Sequence, residues 1–115
     1  MLKKENRLKR NKHFNYIYKH GVCVKTEFIN LVYIKTKVKP FQVGFSVNNK
    51  IGKAVVRNKV KRRMKEIVSS ITLDIDRRFN YIFIAKEGIE NLSFDDLKEN
   101  IILVIKKANL INENN

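Results

Sequence analysis

The chain has 115 residues, with 25 Lys and Arg against 11 Asp and Glu, a formal net charge of +14 and a sequence pI of about 10.1. That length suits one domain with one modest core, and the lone Cys23 excludes an internal disulfide, so a buried or inert thiol is expected there. No apolar run approaches the ~18 residues of a membrane span, and the basic N-terminus lacks the apolar stretch of a secretory signal, so a cytoplasmic protein without a membrane partner is expected.

Residues 1–10 read as a basic, poorly structured arm. Asn11 can cap a helix running to His20, with Gly21 as its stop. Phe14, Ile17 and Tyr18 share one face at i, i+3 and i+4. Phe14 and Tyr18 either pack in the core or, among Lys9, Arg10, Lys12 and Lys19, offer rings on which single-stranded bases stack. His13 and His20 lack the companions of a metal site.

Residues 22–25 predict a short strand and 28–35 a longer one, rich in β-branched and aromatic side chains. A turn over 35–40 holds the only proline. Residues 41–48 alternate strictly: Phe41, Val43, Phe45 and Val47 on one face, Gln42, Gly44, Ser46 and Asn48 on the other. The polar face is either merely solvated or a surface on which an RNA strand lies.

A helix over 54–69 follows. At about 100° per residue, Val56, Val60, Met64, Ile67, Val68 and Ile71 share an arc of about 120°. Around the rest lie Arg57, Lys59, Lys61, Arg62, Arg63 and Lys65, with Asn58 among them. Exposed helix faces ordinarily mix signs, but here Arg57, Lys61 and Lys65 repeat one sign at i,i+4, which destabilises an isolated helix. Self-repulsion of this kind points to a polyanionic partner. The imbalance is regional, since 28–65 contains no acid at all. Residues 70–77 are expected to be a polar connection, 79–86 a further strand broken at Gly88, and Ser93 with Asp96 a capping box for a last helix ending near Asn109. Its expected buried stripe is Phe94, Leu97, Ile101, Val104 and Ala108. Residues 112–115 are expected to fray.

The order α-β-β-β-α-β-α predicts a single α+β domain over 1–115, a four-stranded sheet with helices against it. No catalytic constellation stands out. Glu5 and Glu27 are the only carboxylates before residue 66, whereas a self-sufficient metallonuclease needs several to hold its ions. The residues therefore favour binding over catalysis. A ribosomal protein or general RNA chaperone, a DNA-binding protein and a stand-alone nuclease are the alternatives. Flanking strands leave the DNA reading without a helix-turn-helix pair.

The spacing Gly52-x-Ala54-Val55-x-Arg57-Asn58-x-x-Lys61-Arg62, followed by Glu66, resembles the Arg-Asn-Arg signature of the bacterial ribonuclease P protein family. Arg7-Leu8-Lys9 resembles the family's segment before its first helix. Three departures stand out: Lys59 at the signature's third position, Lys65 before Glu66 and Asn49 before Lys50. Lysine keeps the charge but loses the bidentate fork. The resemblance implies a fold shared with a ribosomal-protein domain, with a left-handed crossover against the usual rule. It implies an endoribonuclease holoenzyme in which an RNA subunit cleaves precursor tRNA with magnesium ions, while the protein contributes no catalytic residue, metal or cofactor. It implies contact with that RNA through Lys50, Lys53, Arg57, Asn58, Lys59, Lys61, Arg62 and Lys65. It implies a cleft for the 5′ leader of precursor tRNA lined by Phe14 and Tyr18, with Val32 or Tyr33 opposite, in a 1:1 ribonucleoprotein.

Overall fold

The sheet assembles around its two central strands, Ile29–Lys35 and Phe79–Ala85, whose β-branched and aromatic residues are buried on both faces. In a computed structural model describing residues 3–111, α1 (Asn11–His20), β1 (Val22–Lys25), β2 (Ile29–Lys35), β3 (Val43–Ser46), α2 (Ala54–Ser70), β4 (Phe79–Ala85) and α3 (Phe94–Lys107) follow in the expected order. The sheet order is β1-β2-β4-β3. β2 is antiparallel to both β1 and β4, whereas β3 runs parallel to β4, so α2 is the crossover between adjacent parallel strands.

Register fixes which side chains share a face. Cys23, Val32, Ile82 and Gly44 form one row across the sheet, and Tyr33, Tyr81 and Val43 form a row on the opposite face. The second face meets α2 and α3 and carries the main core, including Phe45, Met64, Ile67, Tyr81, Phe83 and Ile101. The first face meets α1, where Leu8, Ile17, Val32 and Ile82 make a smaller core.

Several expectations change. The arm is ordered from Lys3: a 3-10 turn at Lys4–Asn6 leads into Arg7, which bridges in parallel to Val43, and the Leu8 side chain is buried. The Asn6 amide donates to the Phe41 carbonyl at 2.7 Å, tying the arm to the start of β3. β3 is shorter than the alternation suggests, because side chains take over the bonding before Val43: the Gln42 N–H donates to Asn80 Oδ1 at 2.7 Å. Residue 70–77 is no simple polar connection. Ile71 and Ile75 are buried, and the Tyr81 hydroxyl donates to the Asp76 carbonyl.

Arg10, not Asn11, occupies the cap position of α1, and makes no side-chain capping bond. Ser93 caps α3 by accepting from the Asp96 N–H at 3.1 Å. Val56 and Phe94, both expected to be buried, remain 36% exposed because each lies in the first turn of its helix, at the edge of the core. Cys23 is exposed, since β1 is an edge strand. The tail over 112–115 lies outside the described residues.

Candidate nucleic-acid interface

β3 is also an edge strand, paired with the N-terminal segment at Val43, and what borders the rest of its edge defines the site. The N-terminal segment and α1 lie on one side and α2 on the other, leaving a groove of about 640 Å³. Phe14 and Tyr18 reach it from α1, Lys61 and Lys65 from α2, Arg7 from the N-terminal segment, and Ser46 from β3.

The rings are placed by a glycine. Phe14 lies directly over Gly44, where a Cβ would come within 2.6 Å of the Phe14 ring and 3.0 Å of Leu8. Phe14 is half-buried as a result, and Tyr18, one turn on, stays 42% exposed. Their ring centroids stand 6.2 Å apart, tilted by 43°. The pair presents aromatic surface at the mouth of a polar groove, the arrangement on which bases stack.

The groove is also crowded with positive charge. Burial, then Lys61, then Arg7 hold the Lys65 ammonium below the usual lysine value. An amine made less willing to carry its proton by neighbouring cations gains from an anion that reverses their field.

The N-terminal end of α2 is shaped separately. Gly52 adopts φ +153°, where a side chain is strained, and a Cβ there would meet Val56 at 3.1 Å. Asn48 Oδ1 accepts from the Lys50 N–H at 2.9 Å, and Arg57 Nε donates to the Gly52 carbonyl at 3.0 Å. Lys50 and Lys53 are thus held on a fixed turn. Lys50, Lys53, Asn58, Lys59 and Arg62 are exposed, while Arg57 is half-buried by its bond to the turn.

The twelve expected site residues divide accordingly. Phe14, Tyr18, Lys61 and Lys65 converge in the groove, so the basic helix and the aromatic pair are not two separate surfaces. Neither Val32 nor Tyr33, the alternatives expected opposite the rings, lines the groove. Val32 is 4% exposed, sealed beneath the end of α1 where Gly21 would bring a Cβ within 2.8 Å of it. Tyr33 points to the other face of the sheet, edge-on to Phe79 at 5.6 Å. The polar face of β3 is likewise only partly open, with Gly44 covered and Ser46 lining the groove. Arg7 is the groove residue that helix periodicity could not find. The polar-apolar-polar run Arg7-Leu8-Lys9 was the available signal, since Leu8 is buried at the base of the groove and its neighbours line it with charge.

Among the described residues, no three His, Cys, Asp or Glu side chains gather where they could hold a metal ion, and no helix is long and apolar enough to cross a membrane.

Comparison with known proteins bears on this geometry. A family model described as Ribonuclease P matches residues 2–109. The ribonuclease P protein component of Clostridium botulinum is 34% identical over 110 residues, covering 95% of this chain and 99% of its own. That of Streptococcus agalactiae is 36% identical over 110 residues, covering 96% and 100%. Among solved structures, the RNase P protein of Staphylococcus aureus superposes with a TM-score of 0.87 at 30% identity, covering 95% of this chain and 100% of that one. The RNase P protein of Thermotoga maritima gives 0.80 at 26% identity, covering 88% and 96%. With the family's pattern running through nearly the whole sequence and its fold reproduced in three helices on a four-stranded mixed sheet, this chain belongs to the ribonuclease P protein family.

Proposed function

We propose that this chain is the RNA-binding subunit of a cytoplasmic, 1:1 ribonuclease P ribonucleoprotein, gripping the RNA subunit with the N-terminal part of α2 and the 5′ leader of precursor tRNA in the groove. The observation that carries this reading is the convergence of the Phe14 and Tyr18 rings with Lys61, Lys65 and Arg7 along one open strand edge. Rings serve unpaired bases and ammonium groups serve phosphates. A folded RNA without a single strand has no use for the rings. Lys61 and Lys65 therefore act on the leader, while Lys50, Lys53, Asn58, Lys59 and Arg62 face the RNA subunit, with Arg57 bracing the turn beneath them. The RNA subunit, using magnesium ions, supplies the cleavage step.

The test is reconstitution. Purified protein is added to the ribonuclease P RNA and a precursor tRNA at low magnesium, where the RNA alone is slow. Mature 5′ ends should form faster with protein than without it. Cleavage by the protein alone, or equal acceleration of unrelated structured RNAs, overturns the assignment in favour of a nuclease or a general RNA chaperone.

A further inference from the structure

A second hollow, of about 820 Å³, lies on the same seam as the groove. The two are bordered by successive stretches of the same elements. Lys3, Glu5 and Asn6 line the hollow, whereas Arg7, Leu8 and Lys9 line the groove. Across the seam, Ser69, Thr72 and Leu73 follow Lys61 and Lys65 at the far end of α2. Lys65 and Ser69 are one helical turn apart.

The walls of the hollow are fixed. Asn6 is bonded to the Phe41 carbonyl, and the Thr72 hydroxyl lies 3.0 Å from the carbonyl oxygens of Val68 and Ser69. The Arg78 guanidinium is forked onto Asp76, with Nε at 3.0 Å and Nη2 at 2.7 Å. Asp76 thus neutralises Arg78, leaving Lys3, Lys39 and Arg77 against the carboxylate of Glu5. Within this basic rim, Leu73 is 75% exposed. Cations around an exposed apolar side chain repeat the chemistry of the groove with a leucine in place of the rings.

We infer that this hollow takes the distal part of the same single-stranded leader, with Lys39 and Arg77 on its phosphates and Leu73 beneath one of its bases. The inference rests on the leader reading of the groove. The two sites adjoin: Phe41 lines the hollow and Val43, two residues or about 7 Å of extended chain further on, lines the groove. A short leader fills the groove and stops, and a long one continues along the seam into the hollow.

The assembled holoenzyme tests this with precursor tRNAs carrying short and long leaders and with mature tRNA, each titrated at several salt concentrations. Lys39→Ala with Arg77→Ala should reduce the salt slope for the long leader by about 0.7 per lost phosphate contact. It should abolish whatever affinity the long leader has over the short one, and leave the short leader and mature tRNA unchanged. Both residues are exposed, and thermal melting verifies that the variant is folded. As a second measurement, a photoreactive nucleotide in the distal leader should cross-link at Leu73. Unchanged long-leader binding, or equal weakening of all three RNAs, overturns the inference. The latter would assign the hollow to the RNA subunit. Tyr18→Ala serves as the separate control: if it leaves short-leader affinity intact, the groove reading itself fails.

Discussion

On one face of the sheet, α2 and α3 bury a continuous core that runs from Ile29 to Leu110. On the other, α1 and the N-terminal segment close over the sheet in a core of four buried residues, Leu8, Ile17, Val32 and Ile82. The thick face holds the fold together. The thin face leaves the open edge of β3 accessible, and the rings of α1 are only partly used in packing. A small domain has limited apolar surface to bury, and here the less covered face borders the groove.

The sharpest way to break this comparison is to cut into each face in turn. Phe83→Ala, on the thick face, should cost about 3–5 kcal/mol, read by denaturant unfolding. Ile17→Ala, on the thin face, should fall near the lower end of the aliphatic range, about 2 kcal/mol, because a site covered by one helix collapses more easily. Equal losses would mean that the two faces contribute alike. Next in size, Tyr18→Ala should weaken binding of precursor tRNA by about 1–3 kcal/mol through one lost stack, with mature tRNA unaffected and the melting temperature nearly unchanged. A large drop in melting temperature would return Tyr18 to the core.

Arg62→Ala then sharpens the division along α2. It should lower the salt slope for the RNA subunit by about one unit per lost phosphate contact, with no loss of stability. The smallest effect concerns acid. Arg78 is the main cause holding the Asp76 carboxyl below its usual 3.8, with burial acting against it. A depressed folded-state value means that the pair's contribution is present in full above the ordinary carboxylate range and disappears as pH falls through the lower, folded value. Unfolding measured down an acid series should show this limb in the natural chain and not in Asp76→Asn.

The helices and the order of elements along the chain were legible in the sequence because periodicity and breakers agreed. Gly21 ends α1, and Ser93 begins α3 by capping it. The basic character of α2 was legible because charge needs no tertiary context. What escaped was whatever depends on a neighbour distant in sequence. Val32 reads as an open strand residue until α1 folds onto it, and Tyr33 as its equal until register sends it to the other face. The arm reads as loose because its anchors, Phe41 and Val43, lie 35 or more positions away. Gly44 reads as a small residue on a polar face, and only the placement of Phe14 over it reveals a packing site. That Lys61 and Lys65 stand across the groove from the rings escapes as well, because helix periodicity says nothing of what stands opposite.

The crowding of Lys65 by Lys61 and Arg7 has a bearing on how much of this protein a cell keeps. Without a polyanion, the repulsion is carried by the lone chain and lowers its stability. Under the proposed function, RNA binding relieves it and adds mass-action stabilisation, about 2.7 kcal/mol at a hundredfold excess over Kd. The unassembled chain is then the species that proteases find open, and the assembled one is spared. Supply of the RNA would set the lifetime of the protein with no dedicated regulator. In a protease pulse, the chain alone should disappear first, and a polyanion added beforehand should slow its loss.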